Sequence, residues 1–334
     1  METGLIIIGI LVLIALAFDF TNGFHDAANS IATVVSTGVL TPAKAVILAA
    51  FCNFIAMFIF DWKVAATVGK GIVDALSVDA HVIFGALVGA IIWNIITWYY
   101  ALPTSSSHAL IGALVGAVIA KTGGLGSILW DGTGKVLTFI VISPVLGFIL
   151  GAGLKTAARA IIPKDTDRSD WWFRKLQLIS CAMYSLGHGA NDAQKTAGII
   201  LLILISGGIL TTTSAIPFWV MFVSFAAMGI GTLFGGWRIV NTMGYKLTEL
   251  KPKSGFCAEL GGSMMLFGAS WLGVPVSTTH TITGSILGSG SATPDQIVHW
   301  GVAKNIIIAW ILTIPMSAIF GAAFWHLSWI LYNA

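Results

Sequence analysis

Apolar stretches of about 17 to 25 residues recur along the chain, divided by short polar, glycine or proline breaks, and this is the length a helix needs to cross the hydrocarbon of a bilayer. The pattern predicts spans near residues 4–20, 42–62, 80–100, 107–121, 135–158, 174–206, 215–237, 255–273, 277–290 and 297–331. The first, sixth and last are over-long or interrupted by polar residues, so some division into half-helices is expected there. Runs such as Leu5 to Ala17 and Ile199 to Ile205 do not alternate apolar with polar. That excludes the roughly ten-residue alternating strands of a membrane barrel.

Composition sharpens the picture. The chain of 334 residues is 57% hydrophobic and 9% charged, whereas soluble chains carry roughly a quarter charged residues. Its outer surface must therefore face lipid. The first segment carries Glu2 and no basic residue before its apolar run, so it reads as a retained helix and not as a cleaved leader. Cys52, Cys181 and Cys257 stand singly in apolar segments, with no spacing for disulfides or zinc. The net charge of +3 resides in loops and offers no basic face for nucleic acid.

Charge also sets orientation. Lys155, Arg159, Lys164, Arg168, Arg174 and Lys175 flank one loop, and Arg238, Lys246, Lys251 and Lys253 fill another, together ten of the seventeen basic residues. Both loops are expected in the cytoplasm. Five predicted spans precede the first loop, which puts the amino terminus outside; the expected location of this multi-pass protein is the plasma (inner) membrane.

Two segments of the first half reappear in the second half in the same order. Gly23-Phe24-His25-Asp26-Ala27-Ala28-Asn29-Ser30 aligns with Gly189-Ala190-Asn191-Asp192-Ala193-Gln194-Lys195-Thr196. Pro103-Thr104-Ser105-Ser106-Ser107-His108 aligns with Pro275-Val276-Ser277-Thr278-Thr279-His280. A duplicated unit with an odd number of crossings inserts its second copy upside down. The expected fold is therefore an all-α polytopic membrane protein of two inverted-topology repeats of about five spans each, with broken or re-entrant half-helices at the repeat interface. Residues 1–158 form the first repeat, 159–173 a short charged cytoplasmic loop and 174–334 the second repeat.

The repeated residues carry the chemistry. Asp19, Asp26, Asp192 and Glu259 lie in apolar context, where a charge at the centre of a spanning helix costs at least roughly 2.5–3.5 kcal/mol. A carboxylate beside asparagine carbonyls can hold sodium or carry a proton. A lone Asp could equally cap a helix, but recurrence at matched positions favours the functional reading for Asp26 and Asp192. Lys195, three residues after Asp192, can pair with it on one helix face, and the first repeat has Asn29 there. Pro103 and Pro275 are expected to open half-helices whose free N–H groups and hydroxyls suit a tetrahedral oxyanion, phosphate or sulfate. Ser and Thr could also merely cap or pack, and His108, His280 and His188 read as packing residues. His25, standing where the second repeat has Asn191, could titrate. Gly112, Gly116, Gly284 and Gly288, four residues apart in pairs, mark close helix packing.

Gly-Phe-His-Asp-Ala-Ala-Asn-Ser at 23–30 and Gly-His-Gly-Ala-Asn-Asp-Ala-Gln-Lys at 187–195, with the proline–hydroxyl–histidine motifs at 103 and 275, closely resemble the duplicated signature of the inorganic phosphate transporter (PiT) family, in its compact bacterial low-affinity form. The resemblance implies a cation-coupled symporter of inorganic phosphate. His25 resembles the proton-coupled bacterial type, which takes up phosphate as a neutral complex with a divalent metal. Sodium coupling, or a proton-coupled sulfate permease of the same architecture, is the alternative. The large cytoplasmic loop of longer members is missing.

The resulting expectation is an alternating-access carrier with no catalytic residues and no cofactor beyond the coupling proton or sodium. Ser105, Ser106, Ser107, Ser277, Thr278 and Thr279 donate to phosphate. Asp26, Asn29, Asp192 and Asn191, with His25, hold the coupling cation or proton, and sodium, if used, lies at Asp26, Asn29, Asn191 and Asp192. The partners are phosphate, the coupling cation and the lipid bilayer, and a homo-oligomer is compatible with the sequence. An intramembrane hydrolase is disfavoured because the reactive groups come in symmetric copies and not as one unique nucleophile. A plain anion channel is disfavoured by two carboxylates beside the anion site.

Overall fold

A computed structural model describes residues 2–292 and 296–333. Among them there is no named strand, and the helices follow the apolar pattern closely: α1 (Glu2–Ser36), α2 (Pro42–Ile55), α3 (Lys63–Gly71), α4 (Ala80–Tyr99), α5 (Ser106–Thr122), α6 (Trp130–Ile161), α7 (Asp167–Ser206), α8 (Phe218–Phe234), α9 (Trp237–Asn241), α10 (Pro252–Trp271), α11 (Thr278–Ser291) and α12 (Trp300–Asn333). Gly4–Ser36, Ala80–Tyr99, Trp130–Ile161 and Trp300–Tyr332 are each long and apolar enough to span a bilayer. Two further spans arise if each bent pair counts as one, α2 with α3 at 80° and α8 with the α9 segment at 61°.

Breaks fall elsewhere than expected. The first, sixth and last segments are continuous helices, and α1 and α7 run unbroken through Gly23–Ser30 and Gly189–Thr196. Neither motif contains proline, and their polar side chains find partners on neighbouring helices, so the backbone has no reason to open. α6 and α12 even accommodate internal prolines, Pro144 and Pro315. The bends lie instead within the 42–62 and 215–237 segments, after the 3-10 turn Ala56–Phe58 and at Gly235, whose φ of 65° suits glycine. The predicted loop 159–173 is mostly helical, since α6 ends at Ile161 and α7 starts at Asp167, where Thr166 and Ser169 form a reciprocal cap.

Packing is matched between the halves. α5 lies on α12 and α11 on α6, α4 on α12 and α10 on α6, α8 on α1 and α2 on α7. The two motif helices run antiparallel: a Cβ on Gly207 would meet Ile8, Cys181 donates to the Ser30 carbonyl, and Thr37 donates to Gln177. This arrangement is compatible with inverted repeats. Glycines set the closest approaches. A Cβ on Gly116 would collide with the Ala318 carbonyl of α12, and one on Gly284 with the Pro144 carbonyl of α6.

Both basic segments lie at one end of the molecule. Lys253 pairs with Asp165 at 2.5 Å and donates to the Ile162 carbonyl, joining the start of α10 to the α6–α7 turn. The Lys253 ammonium holds the Asp165 carboxyl below its ordinary value of 3.8. The amino-terminal part of α1 lies at the opposite end, beside Gly207.

Candidate functional site

The short helices α5 and α11 begin beside one another, where Thr279 donates to the Thr104 carbonyl at 3.1 Å and the His108 and His280 rings meet edge to face at 4.8 Å. Each begins three residues after its proline and not at it, because Ser105 and Ser277 act as N-caps. Their Oγ atoms accept from the His108 and His280 N–H groups at 3.3 and 3.1 Å. The turn ahead of each proline passes through the left-handed region, at Ala101 (φ 56°) and Gly273 (φ 69°). The N–H groups of Ser106, Ser107, Thr278 and Thr279 belong to the first helical turns and have no partners within their own helices.

The polar motifs of α1 and α7 cross at these helix starts. Ser106 Oγ donates to Asp26 Oδ2 at 2.9 Å, and Thr278 Oγ1 donates to Asp192 Oδ2 at 2.8 Å. Each aspartate thus binds the first hydroxyl of its own half's short helix. The residue three positions on reaches across to the other half. Asn29 Nδ2 donates to Thr279 Oγ1 at 2.9 Å and to Thr278 Oγ1 at 3.2 Å, and Lys195 Nζ donates to Ser107 Oγ at 2.6 Å. Lys195 also bonds Asp192 Oδ1 and the Val276 carbonyl, both at 2.6 Å. Sequence matching therefore reappears as matched hydrogen bonds.

Of the expected site residues, Asp26, Asn29, Asp192, Ser106, Ser107, Thr278 and Thr279 converge. Ser105 and Ser277 border them as caps. His25 lies against Asp26, with Nδ1 2.7 Å from Oδ1, and its Nε2 is 3.1 Å from Thr97. Asn191 faces the segment entering α11. Its Nδ2 donates to the Val274 carbonyl and its Oδ1 accepts from the Val276 N–H. His188, read as a packing residue, instead places Nε2 3.2 Å from Asp192 Oδ2, and its position one helical turn before Asp192 was the available signal. Ligand atoms of Asp26, His188 and Asp192 lie within 4.8 Å of one another, a set able to grasp a metal ion. Among the described residues two further acids are buried: Glu259 accepts from Thr33, Gln177 and Ser180, away from this centre, and Asp19 accepts from Asn22 and neighbours Thr196 and Asp192.

All of these groups are closed off from solvent, with Asp26 1%, Asp192 0%, Lys195 2% and Ser107 4% exposed. Two carboxylates and one ammonium leave one formal negative charge when the histidines are neutral. An added oxyanion would deepen that excess, which disfavours it as the sole occupant of a site shut off from water. Among the described residues no nucleophile stands out with a base and an oxyanion site of its own.

Long apolar helices around a buried, twice-repeated polar centre define a multi-pass membrane protein. The phosphate transporter family model matches residues 22–171 and 160–321, and the chain belongs to that family. A protein of Rhizobium meliloti (strain 1021) bearing the curated name "Probable low-affinity inorganic phosphate transporter" is 54% identical over 93% of each chain. One of the same name from Bacillus subtilis (strain 168) is 44% identical over 96% of this chain and 97% of its own. A solved structure titled "The sodium-dependent phosphate transporter" is 26% identical, with a TM-score of 0.85 over 98% of this chain and 99% of that one. The relatives are named as transporters, and the chain is a transporter and not an enzyme.

Proposed function

We propose that the protein carries inorganic phosphate across the plasma membrane in symport with a cation, protons being favoured over sodium, by alternating access between two inverted repeats, residues 1–158 and 174–334. The observation that supports this most is the meeting of two short-helix starts around two carboxylates, since that pairing makes anion binding conditional on cation binding. Phosphate would sit between the starts of α5 and α11, taking donors from Ser106, Ser107, Thr278 and Thr279, with Ser105 and Ser277 beside them. Asp26, Asn29 and Asp192, with His25 and Asn191 adjoining, would hold the coupling cation or proton. The grouping of Asp26, His188 and Asp192 supports an added variant, in which a divalent metal enters with phosphate as a neutral complex.

In the closed state the hydroxyls bond to Asp26, Asp192, Asn29 and Lys195. Phosphate would replace these contacts, and rocking of one repeat against the other would open the site to each side in turn. The basic segments would face the cytoplasm and the amino terminus the outside.

Uptake of radiolabelled phosphate into proteoliposomes, under an imposed proton or sodium gradient and with sulfate as competitor, tests the reading. Proton-driven uptake indifferent to sulfate is expected. Uptake that persists with every cation gradient collapsed would overturn symport, and sulfate-dominated competition would overturn the substrate.

A further inference from the structure

Lys195 is among the largest fully buried side chains in the molecule. Its Nζ has three oxygen partners, a carboxylate (Asp192 Oδ1), a hydroxyl (Ser107 Oγ) and a backbone carbonyl (Val276), each at 2.6 Å. Three acceptors use the three N–H donors of an ammonium, one more than a neutral amine has. A carboxylate, a hydroxyl and a carbonyl converging on one point are also the oxygen donors that bind a hard cation. The ammonium is a compact point charge with no directional preference of its own, so it fits such a cage as an ion does.

The matched position in the first half is built differently. Asn29 turns its Nδ2 to Thr278 and Thr279, and its Oδ1 is buried without a hydrogen-bond partner. That half leaves an oxygen ligand unused three residues along the helix from its own aspartate, whereas the matched residue of the second half is a lysine bonded to Asp192. The two halves share a ligand framework and differ in whether a side-chain ammonium fills it.

We infer that the Lys195 ammonium is a covalently tethered cation, standing where an alkali ion would otherwise bind Asp192, so that only the Asp26 half of the site exchanges its cation during transport. The inference rests on the cation-coupled reading above. It adds a permanent positive charge beside the phosphate position and removes one exchangeable ion from each turnover. Lys195 is thereby a determinant of ion stoichiometry and of ion selectivity.

Replacing the lysine with the residue that the first half carries should vacate the cage. Thermal unfolding of the purified protein in detergent, without phosphate, is compared in 100 mM choline chloride and 100 mM sodium chloride for the wild type, Lys195→Asn and the double variant Asp192→Asn/Lys195→Asn. Lys195→Asn should gain a sodium-specific rise of roughly 2–4 °C in Tm beyond that of the wild type, and the double variant should lose that gain. Equal shifts in Lys195→Asn and wild type, or a gain retained by the double variant, would overturn the proposal. If Lys195→Asn cannot be purified, Lys195→Ala takes its place. Recovery of either variant in sodium but not in choline supports the inference, and failure of both in either salt overturns it. Because no phosphate is present, the result stands whatever anion the intact protein carries and whichever ion drives it.

Discussion

At the scale of single residues, the two aspartates are matched in sequence but not in surroundings. Asp26 is flanked by a histidine and a serine, and Asp192 by an ammonium, a threonine and a histidine. Asp26→Asn should lower coupled phosphate uptake at least tenfold in proteoliposomes while the protein still folds. Undiminished uptake would remove Asp26 from the coupling site. Asp192→Asn should also abolish uptake, but it strands a buried ammonium, and breaking a buried pair in this way costs about 3–5 kcal/mol. Its Tm should therefore fall well below that of Asp26→Asn. The duplicated motifs made Asp26, Asp192, Asn29 and the hydroxyl triplets legible from sequence. The division of labour among them was not, since Ser105 and Ser277 act as caps through the local backbone, and Asn191 is directed by a segment some eighty residues away.

At the scale of elements, hydropathy located nearly every helix but misplaced the breaks. Polar residues in an apolar run read as an interruption, yet α1 and α7 continue through theirs because the partners lie on other helices, which a linear pattern cannot show. The turn before α5 shows a second such effect. Ala101 adopts φ 56° where the matching turn before α11 has Gly273, a conformation that costs an L-residue about 1–2 kcal/mol. Ala101→Gly should raise the Tm, and an unchanged or lower value would show the turn to be unstrained. Helix contact is equally specific. Gly284→Val would drive a side chain into the Pro144 carbonyl, and overpacking of this kind costs about 1–3 kcal/mol or more. A lower Tm and a loss of monodisperse protein on size-exclusion chromatography are expected.

At the scale of the whole molecule, the end that carries both basic segments is tied together by Asp165 and Lys253. The lowered pKa of Asp165 means that the pair stabilises the fold above the ordinary carboxyl value of 3.8, and that this contribution is lost as pH falls through the depressed folded value. Asp165 is 58% exposed in this pair, so solvent and salt screen it and the effect is at most about 1 kcal/mol. Asp165→Asn should lower the Tm slightly at neutral pH, and the gap to wild type should close in acid or high salt. A gap that persists at low pH would assign the loss to packing. The unbroken course of α1 and α7 has a wider consequence. Their backbone carbonyls are taken up within the helices, so the walls of the buried polar centre are side chains plus a few peptide groups ahead of α5 and α11. A centre of that construction can be retuned one side chain at a time, while the two long helices that frame it keep their course.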